Sequence, residues 1–233
     1  MLKQVDTNIW IQEQSLQYWG LEVGTRMTVI RLSGDRLVLI SPVKLDTENQ
    51  REISNLGEVV YIIAPNLFHY LYIQDCKNIY PQAQLLAVPG LANKQPELKI
   101  DCVFFQDEID FQSELEYILF AGFRVSLITK AATLNEVVFY HRASKTLILT
   151  DTAFNFDRSF PWLTQLGAKL MGSYNTLQPS LLEKLVIEDK EQVKASVEKI
   201  FNWDFQRVIM AHGSIVENDA KAQLKKGYDW FLQ

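Results

Sequence analysis

The chain has 233 residues, of which 48% are hydrophobic and 22% are charged, and its formal net charge at pH 7 is −5. This composition is typical of a globular protein and excludes a disordered or low-complexity chain. The acidic balance argues against a nucleic-acid partner, because nucleic-acid-binding domains present a basic face.

The N-terminal half is predicted to form strands with helices between them. Two apolar runs flank a Ser33-Gly34-Asp35 turn, which indicates a hairpin over Met27–Ile40. Continuous apolar runs over Val59–Ala64 and Gln84–Val88 predict two strands that are covered on both faces. The helices predicted here are Thr47–Leu56, with Thr47 as N-cap and Gln50 in a capping box, Leu67–Cys76, and a short helix or loop over Leu91–Glu97.

The C-terminal half contains further strands followed by longer helices. A second hairpin is predicted from Glu136–Tyr140 and Thr146–Thr150, joined by a turn that runs from His141 to Lys145. The other predicted strands are Val103–Phe105, Glu114–Leu119, Arg124–Ile128 and Arg207–Ala211. The predicted helices are Phe160–Met171, Glu191–Phe201 and Glu217–Leu232. Strands and helices interspersed along the whole chain predict a single α/β domain over residues 1–233.

The apolar runs also predict the centre of the core. Residues in the middle of such runs are expected to be buried whichever face of a sheet they occupy. The six residues predicted in this way are Ile62, Ile63, Val138, Leu147, Leu149 and Ile209.

Cysteine usage and hydropathy indicate the compartment. The only cysteines, Cys76 and Cys102, have no metal-binding spacing and are interpreted as small apolar residues. The first residues lack the basic start and apolar run of a signal peptide, and no eighteen apolar residues occur together. We therefore expect a soluble, cytoplasmic protein with no membrane partner.

Three segments follow one another in an order that resembles the metallo-β-lactamase superfamily: Val59–Tyr70, Asn135–Asn155 and Arg207–Ser214. The second is similar to that superfamily's hairpin, which ends in an aspartate. The third is similar to its late strand, which ends in a histidine followed by glycine. The resemblance implies an αββα sandwich of two mixed sheets with helices on the outer faces.

The whole chain resembles more closely a group of metallo-β-lactamase-like domains of unknown function. The N-terminal hairpin, Pro81–Leu91 and Leu149–Asn155 carry this similarity. It implies a fold and no established activity.

The resemblance also implies where metal ligands would lie. Active members carry an HxHxDH motif after the second buried strand, where this chain reads APNLFH, from Ala64 to His69. Alignment on this motif puts His69 in place of the last histidine and Phe68 in place of the aspartate. Asp151 falls on the aspartate that usually bridges two metals, and His212 on the late histidine.

The ligands of the family's first metal are replaced. Ala64 and Asn66 stand in place of the first two histidines of the motif. A further histidine normally precedes the hairpin, and Ala132 or nearby Lys130 occupies that position here. The resemblance therefore implies a degenerate, at most mononuclear site made of His69, Asp151 and His212.

The surroundings of this site are predicted from the same segments. Asn66, Thr150 and Thr152 are candidates to orient the metal ligands by hydrogen bonds. Phe68 and Tyr70 are predicted to line an aromatic pocket where the first metal would otherwise lie. No residue is assigned a catalytic role beyond the ligand set.

Two functions are compatible with this pattern. A 2-His-1-carboxylate set suits zinc or iron and supports a hydrolase acting on an unidentified small ester-, amide- or phosphoester-like substrate. The lost motif supports the alternative, a non-catalytic binding or scaffold protein of the same fold without metal. One divalent metal and none are equally compatible with the sequence, and an iron-dependent redox protein is a third interpretation.

Two remaining groups of residues receive no catalytic role. His141 is predicted to lie in solvent at the tip of the second hairpin. The tryptophans are scattered, show no stacking pattern for nucleic acid, and are interpreted as core or interface anchors. They are Trp10, Trp19, Trp162, Trp203 and Trp230.

Overall fold

The computed structural model describes residues 1–111, 113–125, 132–133, 135–185 and 187–233. The strands in chain order are β1 Lys3–Asp6, β2 Ile9–Gln14, β3 Gln17–Tyr18, β4 Leu21–Glu22, β5 Thr25–Arg31, β6 Arg36–Ile40, β7 Glu58–Ala64, β8 Gln84–Ala87, β9 Cys102–Val103, β10 Leu115–Phe120, β11 Arg124–Val125, β12 Ala132–Thr133, β13 Glu136–His141, β14 Thr146–Ile148 and β15 Arg207–Ile209. The α-helices are α1 Thr47–Leu56, α2 Ile73–Ile79, α3 Leu91–Lys94, α4 Trp162–Met171, α5 Leu181–Leu185, α6 Lys190–Phe201 and α7 Ala220–Phe231.

The chain forms two compact units, and the first comprises Met1–Gln14 and Arg26–Leu115. Among the described residues it holds a seven-stranded mixed sheet in the order β1-β2-β5-β6-β7-β8-β9. The hairpins β1/β2 and β5/β6 are antiparallel, whereas β6, β7, β8 and β9 run parallel. The central parallel strands are apolar on both faces because helices cover such strands, and α1 and α2 pack on β7.

The second unit comprises Ser15–Thr25 and Glu116–Gln233. Its mixed sheet has the order β10-β13-β14-β15 in the described part of the chain. The β13/β14 pair is antiparallel and β14/β15 is parallel, so the carboxyl ends of β14 and β15 meet at one edge. Helix α7 packs on β15 and α6 packs on α7. The predicted single domain over residues 1–233 stays a prediction.

The predicted core residues are confirmed. All six are at most 2% exposed: Ile62, Ile63, Val138, Leu147, Leu149 and Ile209. The second hairpin is confirmed with Tyr140 opposite Leu147, a register that places the apolar positions of both strands together.

We expect Leu149→Ala to lower the free energy of unfolding by about 2–5 kcal/mol, because truncating a buried leucine removes apolar contacts and leaves a cavity. The same change at Leu185, which is 82% exposed, should alter it by no more than about 0.5 kcal/mol. Urea unfolding followed by tryptophan fluorescence measures both variants. Equal effects at the two leucines would contradict the placement of Leu149 in the core.

The predicted span of α1, Thr47–Leu56, is confirmed, but its predicted N-cap is wrong, and so is the predicted start of the next helix. Asp46, and not Thr47, is the N-cap of α1: its carboxylate accepts the backbone N–H of Asn49 at 2.8 Å, and Asn49 completes the capping box in place of Gln50. Helix α2 begins at Ile73, six residues after the predicted start at Leu67. The intervening residues are held in a turn by the side chain of Asn66.

The predicted solvent position of His141 is also wrong. His141 ends β13 and is 3% exposed. Its Nδ1 lies 2.8 Å from the hydroxyl of Ser144, so the turn that follows β13 folds back and covers the ring. This hydrogen bond accounts for a buried polar side chain at a hairpin end.

Part of the predicted strand Arg124–Ile128 is observed as β11, which pairs with β12 through Val125 and Ala132. The remainder of that prediction, and Lys130, lie outside the described residues. Within the described ranges, no helix has the length and apolar character needed to cross a membrane.

Candidate metal site

In the first unit, His69 is held by the end of a neighbouring strand. Ser41 follows β6 directly, and its backbone N–H donates to the carbonyl of Ile63 on β7 at 3.0 Å. Ser41 adopts a left-handed backbone with φ of 54°, which is uncommon outside glycine. Its Oγ lies 2.6 Å from Nδ1 of His69. Metal ligation through Nε2 of His69 would leave this hydrogen bond intact.

The loop that carries His69 is shaped by the side chain of Asn66. Asn66 is fully buried, and its Oδ1 accepts the backbone N–H groups of Phe68 and His69 at 2.8 and 2.9 Å. Asn66 therefore positions the histidine through its backbone. The candidate role of Asn66 in orienting a metal-binding imidazole by a hydrogen bond stays a prediction.

Phe68 and Tyr70 flank His69 and both contact Lys94. The ammonium of Lys94 lies 4.0 Å from the ring centre of Phe68 and 5.2 Å from that of Tyr70. It also donates to the carbonyl of Leu67 at 2.7 Å. Burial lowers the pKa of Lys94. Phe68 is 39% exposed, and the aromatic pocket predicted around it stays a prediction.

In the second unit, His212 follows β15 and is fixed by two neighbours. Its Nδ1 donates to the carbonyl oxygen of Gly24 at 2.5 Å, and its ring stacks on Phe154 with centres 6.4 Å apart. Gly213 has φ of 90°, and a Cβ there would lie 2.5 Å from the carbonyl oxygen of Asn155. Glycine is therefore required after the histidine for this close approach of two backbone segments.

The carboxylate of Asp151 lies close to the imidazole ring of His212. Because a carbonyl oxygen only accepts, Nδ1 of His212 carries the hydrogen, and in the neutral ring Nε2 presents a lone pair. Nε2 lies 3.5 Å from Oδ1 of Asp151. This distance is longer than a charge-assisted hydrogen bond of about 2.7–2.9 Å. It matches the edge of a tetrahedral site, about 3.4 Å for metal–ligand bonds of about 2.0–2.2 Å.

The turn that carries Asp151 is organised by a residue that the sequence analysis did not assign. Glu136, the first residue of β13, is fully buried, and its carboxylate accepts the backbone N–H groups of Thr150 and Asp151 at 2.6 and 2.7 Å. The hydroxyl of Thr152 donates to the same carboxylate at 3.2 Å. The hydroxyl of Tyr228 donates to the carbonyl of Thr152 at 2.6 Å. Thr150 and Thr152 thus contact Glu136, as part of the support for Asp151.

The charge of Asp151 acts on two buried glutamates. Burial, and next the charge of Asp151, raise the pKa of Glu136 to about 7. Burial also raises the pKa of Glu183, and the charge of Asp151 adds to this effect. The negative charge of Asp151 favours a cation beside it. The donor set of carboxylate and neutral imidazole fits a divalent metal such as zinc or iron.

The structure thus brings Asp151 and His212 together within one unit and supports each with hydrogen bonds. The residues that the sequence analysis missed are Ser41, Gly24 and Glu136. Glu136 carried a signal, since it is the only charged residue in an otherwise apolar strand. The joint role of His69 with Asp151 and His212 stays a prediction.

Residues 6–180 match the model of a family described as Domain of unknown function (DUF4336). A comparison with curated proteins gives no match. Among solved structures, the DIM-1 metallo-β-lactamase is 13% identical with a TM-score of 0.65, covering 99% of this chain and 96% of that chain. The metallo-β-lactamase from Pontibacter korlensis is 14% identical with a TM-score of 0.64, covering 96% of this chain and 95% of that chain.

A third similar structure is the metal-soaked Flv1 flavodiiron core from Synechocystis sp. PCC6803. It is 13% identical with a TM-score of 0.64, covering 100% of this chain and 60% of that chain. At these identities the comparisons show the fold alone. The predicted metallo-β-lactamase-like α/β fold is confirmed.

Proposed function

The chain belongs to the Domain of unknown function (DUF4336) family, and from this premise and the site geometry we propose that it is a metal-dependent hydrolase with one metal position. Its proposed ligands are His69, Asp151 and His212. The observation that carries the proposal is the 3.5 Å separation between Nε2 of His212 and Asp151, with Nδ1 of the same ring occupied by a backbone carbonyl. In the neutral ring, Nε2 of His212 points a lone pair at the carboxylate of Asp151, and the two repel each other. A proton or a metal ion between these two atoms would remove that repulsion.

Support for a metal rather than a proton comes from the way each ligand is oriented. Metal-binding histidines usually engage their second ring nitrogen with a carbonyl, hydroxyl or carboxylate. Both histidines meet this condition, through Ser41 and Gly24. Glu136 accepts the backbone N–H groups of Thr150 and Asp151, and it therefore fixes the backbone that leads into Asp151.

The residues of the chain would have distinct roles. His69 and His212 would bind through Nε2 as neutral imidazoles, and Asp151 would supply the anionic ligand. A divalent metal held there would polarise a carbonyl or phosphoryl oxygen and would lower the pKa of water. The proposed substrates are small esters, amides or phosphoesters, because this chemistry suits their hydrolysis. The histidines that hold the first metal in active members of the metallo-β-lactamase superfamily are replaced in this chain, which supports a mononuclear site.

Metal content tests this proposal directly. The chain, purified without a histidine tag, stripped with chelator and incubated with Zn²⁺, Fe²⁺ or Mn²⁺, is expected to retain close to one metal ion per chain by elemental analysis. Hydrolysis of chromogenic ester and phosphoester substrates should appear with the metal and disappear with chelator. Failure to retain any of the three metals would contradict the proposal and support a non-catalytic binding protein.

A further inference from the structure

Helix α4, in the second unit, buries small side chains and exposes large apolar ones, which is the reverse of the usual amphipathic pattern. Its buried positions are the small residues Thr164 and Ala168. Its large apolar side chains are exposed: Trp162 by 70%, Leu163 by 46%, Leu166 by 48% and Leu170 by 65%. A surface helix normally buries the wide apolar stripe and exposes polar residues.

Three of the exposed side chains share one face of the helix. Trp162, Leu166 and Leu170 are spaced four residues apart, which places them in one row along the helix. The β3/β4 hairpin packs beside this row: Leu21 contacts Gly167, and the hydroxyl of Thr164 donates to the carbonyl of Glu22 at 2.9 Å. We call Tyr18, Trp19, Trp162, Leu163, Leu166 and Leu170 the α4 surface.

The turn of the hairpin gives independent support for this surface. Trp19 and Gly20 have φ of 50° and 78°, which suits a two-residue hairpin turn. Glycine or asparagine normally occupies both positions, because other side chains are strained there. Trp19 is nevertheless 74% exposed and stacks on Tyr18 with ring centres 5.1 Å apart. The stack on Tyr18 leaves most of the strained Trp19 side chain in solvent, and a contact with a second molecule would bury it.

We propose that the α4 surface is the contact between two copies of this chain in a symmetric dimer. With about 150–250 Å² for each aromatic side chain, the six residues expose roughly 700 Å². This exceeds the patch of about 300–600 Å² on a typical monomer and approaches the about 800 Å² that each partner buries in a stable complex.

The pattern of α4 is self-complementary. In a symmetric dimer the same residues meet across a two-fold axis. With Leu166 nearest the axis, antiparallel helices place Trp162 of one protomer against Leu170 of its partner. Tryptophan is among the residue types that contribute most to binding energy, and this arrangement buries Trp162 of each protomer on either side of Leu166.

Charge argues against a membrane as the occupant. Helices that lie on anionic membranes carry several lysines and arginines on their polar face. Lys169 is the only charged residue in α4, and it lies 4.6 Å from the ring centre of Tyr174.

Sedimentation velocity over a dilution series tests the dimer. The native chain is expected to show a concentration-dependent species of twice its mass. Leu166→Glu should shift the equilibrium to the monomer, with a dissociation constant raised at least about tenfold. Leu185→Glu, at an exposed leucine outside the α4 surface, should leave the equilibrium unchanged. Trp162→Ser repeats the test if Leu166→Glu is unfolded by circular dichroism.

Three outcomes would overturn the proposal. The first is a native chain that remains monomeric at every concentration. The second is a dimer that persists in folded Leu166→Glu and Trp162→Ser. The third is flotation of the native monomer with phosphatidylserine vesicles that Leu166→Glu abolishes, which would assign the α4 surface to a membrane.

Discussion

Replacing either proposed histidine ligand, His69 or His212, is expected to abolish metal retention, whereas replacing His141 should leave it unchanged. The chain contains only three histidines, so His69→Ala, His212→Ala and His141→Ala cover every imidazole. Loss of a residue that merely orients a ligand costs about 10–100-fold in metal affinity, so loss of the ligand itself should cost more than about 100-fold. Competition with a chelating dye measures the affinity in each variant.

The internal control is His141→Ala. His141 is buried and bonded to Ser144, so its loss should lower stability without changing metal content. Ser41→Ala gives a graded test, because it removes the hydrogen bond to Nδ1 of His69 and leaves the ring in place. We expect it to weaken metal binding by about 10–100-fold. Equal metal content in His69→Ala and the native chain would remove His69 from the ligand set and leave Asp151 and His212 to be tested alone.

The strands were predictable from sequence because burial on both faces demands continuous apolar runs. Val59–Ala64 and Val137–Tyr140 are such runs, and both lie in the sheets as predicted. Helix caps were less predictable, since Asp46 and Thr47 are both good caps and only the backbone conformation selects Asp46. The turn after β7 depends on one buried amide, Asn66, which no periodicity reveals.

The contacts that support the proposed ligands depend on tertiary structure. Ser41 reaches His69 because β6 and β7 run parallel with Ile40 opposite Ile63, so both strands end at the same edge. Gly24 reaches His212 across 188 residues of sequence. Such pairings follow from strand order and register, which local composition does not encode. The ligand positions themselves were inferred from the resemblance to a known superfamily.

The stability of the metal-free chain is expected to fall as pH rises across the titration of Glu136. Its ordinary pKa of 4.5 is raised to about 7, first by burial and then by the charge of Asp151. Between these values the folded chain keeps a proton that the unfolded chain releases, so raising the pH favours unfolding. The contribution is complete below about pH 4.5 and is lost as pH passes about 7, a difference of about 3 kcal/mol.

Urea unfolding in chelator at several pH values measures this dependence. Carboxyls whose pKa is lowered from 3.8, such as Asp110 and Asp157, are ionised in both states across the window and add no slope. Glu183 adds a slope of the same sign because burial raises its pKa too.

Glu136→Gln should therefore flatten most of the pH dependence of the stability. Asp151→Asn keeps Glu136 but removes the neighbouring charge that raises its pKa. The stability of this variant should therefore decline over a narrower pH range, and the decline should end at a lower pH. A native chain whose stability changes from pH 5 to pH 8 just as that of Glu136→Gln does would show that Glu136 is ionised throughout, because the difference between the two chains isolates the proton that Glu136 holds in the folded state.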